Sequence, residues 1–147
     1  MSECFRQINN HNGRLAMTPL VLLLARILLA LLFILAGAGK LADVSGFAGY
    51  MASGGVPTFL AWPVIAFEIL GGLAILIGFL TRPVALALAG FCVLSALMFH
   101  FVPADQLQMS IFFKNLGLAG GFLLLWVTGA GAWSLDARLG RSVSATA

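Results

Sequence analysis

Six residues of this chain pair a chemically capable side chain with a place in or at the end of an apolar segment: Arg26, Lys40, Glu68, His100, Lys114 and Asn115. Glu68 is the most demanding. It stands inside the run from Ala61 to Leu80, AWPVIAFEILGGLAILIGFL, in which every other side chain is uncharged. A charged group at the centre of a bilayer costs roughly 2.5–3.5 kcal/mol even on lenient scales, so this carboxylate must meet a cation, take up a proton or face a protein interior. In such a setting Glu68 can orient a lysine or exchange a proton, His100 supplies a titratable donor, Asn115 a fixed hydrogen bond, and the lysines attract anions. Each also has a plainer reading. Glu68 and Lys114 can form an ion pair that only fixes helix register, Arg26 and Lys40 can anchor helix ends at the interface, His100 can be a tolerated polar end, and Asn115 can bond a neighbouring backbone.

The elements that must position these groups follow from composition. Of 147 residues, 61% are hydrophobic and 9% charged. A soluble domain carries about 25% charged residues, so this chain cannot clothe a water-facing surface and reads as a polytopic membrane protein in the lipid bilayer. The net charge of +3 comes from scattered Lys and Arg, which argues against a nucleic-acid partner. Cys4 and Cys92 stand alone, without a CxxC pair or neighbouring ligands. They read as inert cysteines rather than as a disulfide or redox centre, and no metal site or cofactor motif is evident.

Four spans are expected, at about 20–41, 61–80, 83–100 and 109–128. Residues 1–18 read as a polar tail, partly disordered, 19–133 as the transmembrane domain and 134–147 as a short basic tail. The start of the first span has the outline of a signal peptide, but Arg26 interrupts it and its length suits a span, so no cleavage is expected. Between the first two spans, Phe47, Tyr50 and Met51 recur at helical spacing and predict a short interfacial helix. Thr81, Arg82 and Pro83 imply a tight connection between spans two and three. Arg6, Arg14, Arg82, Arg138 and Arg141 fall on one side of such a bundle, so the positive-inside rule predicts cytoplasmic termini.

Spacing then sorts the polar residues. Arg26, Ala30, Phe33, Gly37 and Lys40 share one face, as do Glu68, Gly71, Gly72 and Ile75. Ala85, Ala89, Cys92 and Ala96 form a small-residue seam leading to His100, and Lys114 aligns with Gly117 and Gly121. Small residues let membrane helices approach closely, so these faces should pack inward, in an all-α four-helix bundle with a polar seam. From helix rise, Glu68, Lys114 and Asn115 should lie ~8 to 10 Å deep, His100 ~5 Å deep and Lys40 at the surface of one half of the membrane. Arg26 should lie in the other half, where it either reaches toward Glu68 or snorkels outward.

Taken in order, Arg26, the Gly37-Ala-Gly-Lys40-Leu41 exit, Gly55-Val56-Pro57, Glu68-Ile-Leu-Gly71-Gly72, Gly78-Phe79-Leu-Thr81-Arg82-Pro83, His100 and Phe113-Lys114-Asn115 resemble the DoxX family. The likeness covers roughly Pro19 to Leu139, and its ending resembles that of enterobacterial inner-membrane members. The resemblance implies a small bacterial inner-membrane protein of four helices, with no assigned reaction and with relatives linked to membrane redox complexes and oxidative stress. The positions it carries over are the same six residues. It supports a membrane subunit or small-ligand component of a redox or stress-related system, with a quinone as ligand and redox-complex subunits or a second copy of the chain as partners, rather than an enzyme acting alone. Two other functions compete with it: a small solute or proton-coupled transporter, and a structural or assembly protein with no ligand.

Overall fold

The computed structural model describes residues 2–141, with side chains from Pro19 onward. Helix α1 runs Ser2–Ala42, and its part from Pro19 to Ala42 is long and apolar enough to cross a membrane. The expected polar tail is thus helical backbone from Ser2. Once a turn is nucleated, each added residue gains a hydrogen bond for little further cost, so the apolar segment can seed the helix upstream. The reading of Cys4 falls outside the described side chains.

A short helix α2 (Val44–Ser53) follows, then a 3-10 turn (Thr58–Leu60) that leads directly into α3 (Ala61–Ile77). Helix α4 (Thr81–Ser95) ends in a π turn (Ala96–His100), α5 covers Gln106–Thr128, and α6 is a single turn, Leu135–Arg138. The four spans are 20 to 24 residues long. At ~1.5 Å per residue that is enough for the ~30 Å hydrocarbon layer. The architecture is an all-helical, polytopic bundle.

In the bundle α1 packs chiefly on α3, and α4 on α5. The two pairs meet in a core that includes Ala30, Phe33, Ile75, Leu88, Ala89, Cys92 and Phe122. Gly72 sets the α1–α3 approach: a Cβ there would lie 3.1 Å from the Ala30 carbonyl oxygen and 3.2 Å from the Ile34 nitrogen. The inward faces of α1, α3 and α4 are those given by spacing, because Arg26, Ala30, Phe33, Gly37, Glu68, Gly71, Gly72, Ile75, Ala85, Ala89, Cys92 and Ala96 are all buried.

Helix α5 departs from that expectation. Its buried residues are Phe112, Ala119, Phe122 and Leu125, whereas Lys114 and Gly117 are exposed. Large aromatics fill the space between the two helix pairs, with Phe33 and Phe122 meeting edge to face at 5.3 Å. That contact is worth more burial than a glycine can offer, and it turns the Gly117 face outward.

The connections carry their own instructions. Asp43 caps α2, and Asp105 caps α5 by accepting from the Leu107 and Gln108 N–H groups. Gly78 ends α3 in the left-handed region at φ 70°, and a Cβ there would collide with Ser134 and the Arg26 guanidinium. Both conformation and space therefore demand glycine. Pro83 lies in the first turn of α4, where a missing N–H costs nothing.

Candidate functional site

The six polar residues do not form one cluster. Arg26 lies at the end of the bundle that holds α6, and the other five lie at the opposite end.

Arg26 is 1% exposed. Its Nε donates to the Ile75 carbonyl at 2.9 Å and Nη2 to that of Leu76 at 2.6 Å. Nη1 donates to the carbonyls of Ala130 at 2.9 Å and Trp133 at 2.8 Å. The last carbonyls of α3 have no partner within the helix, and a guanidinium supplies several donors in one plane, so one side chain closes α3 and fastens the α5–α6 connection to it. Arg26 therefore neither reaches Glu68 nor snorkels to the interface. Asp136 completes this end: its two carboxylate oxygens accept the N–H groups of Leu80 and Thr81, each at 2.9 Å, at the start of α4. Sequence reasoning placed Asp136 in a tail. The available signal was the Ser134-Leu-Asp136-Ala137 segment, in which Ser134 caps α6 by accepting from the Ala137 N–H.

At the other end, Lys40 Nζ donates to both carboxylate oxygens of Glu68, at 2.7 and 2.6 Å. Glu68 thus pairs with Lys40 rather than with Lys114. The lysine is in the last turn of α1 and Glu68 in the second turn of α3, and the close approach at Gly37, whose absent Cβ would touch the Glu68 Cβ and Ile69, brings them level. A long lysine stem lets the ammonium descend from the helix end to meet the acid. Phe47 of α2 covers the ammonium, with its ring centroid 5.2 Å from Nζ. That cation–π contact ties α2 to the pair.

His100 is carried inward by the π turn that ends α4. Its Nδ1 lies 2.8 Å from Gln108 Oε1, across the loop to α5. With the amide oxygen as acceptor, Nδ1 carries the proton and Nε2 is left to accept. The same turn lays Phe99 against α2, where its ring stacks on Tyr50 at 5.1 Å and fills the space a Cβ on Gly54 would need. A π turn leaves no periodic mark in composition, and sequence reasoning ran the span straight to His100.

Two cavities meet at the Lys40–Glu68 pair. A small one of about 150 Å³ is lined by Lys40, Glu68, Cys92, His100, Lys114 and Asn115 among others. A larger one of about 550 Å³ lies between α2 and the facing parts of α3 and α4, with Tyr50, Met51, Leu60, Val64, Leu94 and Met98 among its walls. Lys40, Glu68, Phe91, Ser95 and His100 border both. Among the described residues, neither Lys114 nor Asn115 makes a side-chain hydrogen bond, and Lys40–Glu68 is the sole ion pair. The small chamber therefore holds one neutralised pair, an uncompensated ammonium and an amide with free donors. It can receive an anion or a carbonyl oxygen, and the larger chamber can receive an apolar body.

The sequence profile of the DoxX family matches residues 21–101, more than half of the chain and including four of the six polar residues. The chain belongs to the DoxX family. This DoxX chain is 50% identical over 119 residues to inner membrane protein YqjF of Escherichia coli (strain K12), covering 81% of the chain and 92% of the relative. It is 38% identical over 130 residues to inner membrane protein YphA of the same organism, with 84% and 93% covered. A more distant likeness, 28% over 101 residues with 66% and 75% covered, is to a Bacillus subtilis (strain 168) protein named "Putative oxidoreductase CatD". No solved structure matches the chain. With four spans and these relatives, it is a multi-pass inner-membrane protein of the DoxX family.

Proposed function

We propose that this DoxX chain binds an amphiphile at the Glu68 end, with an anionic or carbonyl-bearing head of the quinone type, as a non-catalytic membrane component of a redox or stress-related system. The observation that supports this most is the pair of cavities sharing the Lys40–Glu68 wall, one small and polar, the other larger and mainly apolar. Pockets for small ligands commonly combine an apolar lining with a few convergent polar groups. Lys114 and Asn115 would donate to the oxygens of the head, His100 Nε2 would accept a hydrogen bond from a hydroxyl where the head is in its reduced, quinol form, and Glu68 would hold Lys40 in place beneath Phe47. When bound, a quinone would supply the two-electron chemistry and the chain its position and hydrogen bonds. The name of the Bacillus relative agrees with a redox setting. The distribution of arginines supports cytoplasmic termini; with that orientation this end would lie in the outer half of the membrane, and partner subunits would meet it from that side.

A second reading has its own support. The 2.6 and 2.7 Å contacts of Lys40 to both oxygens of Glu68 suit a pair whose work is to lock α1 to α3. Titration of the detergent-solubilised protein with decylubiquinone separates the two. Lys114→Gln and Asn115→Leu leave the Lys40–Glu68 pair intact, and each should weaken binding by about tenfold, the value of roughly 1.4 kcal/mol in lost hydrogen bonding. Wild-type protein that binds no more quinone than these variants would leave the pair as a structural lock.

A further inference from the structure

A third cavity, of about 400 Å³, opens at the Arg26 end, far from the chambers around Glu68. Arg82 and Arg141 line it, together with the turn at Gly129 and Gly131 and the edge of Asp136. We propose that this cavity binds the phosphate of an anionic phospholipid headgroup.

Four observations support the assignment. The first is charge. Among the described residues, neither arginine has a carboxylate within ion-pair distance, and the Asp136 carboxylate, which also borders the cavity, is committed to the Leu80 and Thr81 N–H groups. The second is spare donors. Arg82 uses one N–H, Nη2 to the Val127 carbonyl at 3.2 Å, and a guanidinium has five. The third is shape. Arg82 lies across Gly129, whose φ of 76° and ψ of −173° fall where only glycine is comfortable, and Gly131 follows at φ 79°. The chain thus turns sharply away from α5 and leaves a recess beside the guanidinium. Arg141 closes its other side, with its Cζ 5.4 Å from the Phe79 ring.

The fourth is depth. The third span begins at Thr81 and the fourth ends at Thr128, so the recess lies where the apolar segments stop, the level at which lipid phosphates sit. Exposed Trp126 and Trp133 flank the same end, as aromatic residues do at the headgroup boundary. Basic recesses between spans at this depth suit anionic headgroups, and a guanidinium pairs with phosphate through two parallel hydrogen bonds.

The test is lipid retention. Wild-type protein, Arg141→Gln and Arg82→Gln/Arg141→Gln are reconstituted in bilayers of equal phosphatidylglycerol and phosphatidylcholine, released into mild detergent and weighed intact with their bound lipids. Wild type should retain phosphatidylglycerol preferentially, with the preference falling roughly fivefold for each arginine removed. The exposed Arg141→Gln change tests the site even if the double variant folds poorly. Equal retention of the two lipids by wild type, or a preference unchanged in Arg141→Gln, overturns the proposal. So does displacement of the lipid by millimolar inorganic phosphate, which would assign the recess to a free anion.

Discussion

A single arginine near the start of the first span closes the end of another helix and the approach to α6, and this sets the expected effect of losing it. In Arg26→Met the Leu76, Ala130 and Trp133 carbonyls lose their donor together, and the Ile75 carbonyl keeps only the Gly78 N–H at 3.2 Å. Methionine fills similar space but offers no hydrogen, and an unsatisfied buried polar group costs about 1–3 kcal/mol. Water at the bundle end can serve some of the four, so the variant should lose about 3–5 kcal/mol, as for one partner removed from a buried charged network. Unfolding in mixed micelles measures the loss, and decylubiquinone binding by the folded fraction should remain, because Arg26 is at the other end. At the Glu68 end, residue identity also decided more than spacing did. The sequence pairs the acid with Lys114, and the close approach of α1 to α3 at Gly37 selects Lys40 instead.

At the scale of elements, α2 matters most because it walls the larger cavity and covers Lys40. Its start depends on Asp43, whose Oδ1 accepts from the Gly46 N–H at 2.8 Å and from the Ser45 hydroxyl at 3.0 Å. These bonds, the backbone one first, hold the Asp43 carboxyl below its ordinary value. A group whose pKa is lower in the folded state contributes fully above the unfolded value of ~3.9 and loses that contribution as pH falls through the folded one. Amide protection in Phe47–Met51, corrected for intrinsic exchange, should therefore be constant from neutral pH down to about 4 and fall below it. Asp43→Ala should show the weaker protection throughout, and a wild-type profile flat into stronger acid would show that the cap does not hold α2. The inward faces of α1, α3 and α4 were legible because buried residues recur there at steps of three and four. The face of α5 was not, because glycine spacing and aromatic spacing point in different directions and only packing decides between them.

Over the whole molecule, two helix pairs joined by a shared core keep the two ends independent, and glycines report how tightly the pairs close. In Gly72→Ala the new methyl would meet backbone atoms of α1 at Ala30 and Ile34, so α1 and α3 must separate, at about 1–3 kcal/mol. Gly117→Ala meets nothing within 4 Å and should be neutral or stabilising by up to about 1 kcal/mol through helix propensity. Unfolding of the two variants side by side checks both. Destabilisation by Gly117→Ala would mean that the exposed face of α5, with Lys114 on it, is covered by another chain in the membrane.

What the sequence by itself determined is substantial. Uninterrupted apolar runs of span length permit only helices in a bilayer, because each backbone group must be satisfied within its own segment. The number of spans follows from this, three of the four buried faces follow from the spacing of small residues, Thr81, Arg82 and Pro83 mark the tight connection between spans two and three, and the ordered motifs carry the DoxX resemblance. Tertiary structure decided the partners. Which lysine meets Glu68, how a π turn brings His100 to Gln108 and Phe99 to α2, and why Arg26 and Asp136 bind backbone groups 49 or more residues away all depend on contacts between helices. Periodicity fixes direction around one helix axis. It carries no information on the rotation and height of one helix against the next, and those two quantities place side chains within 3 Å of each other.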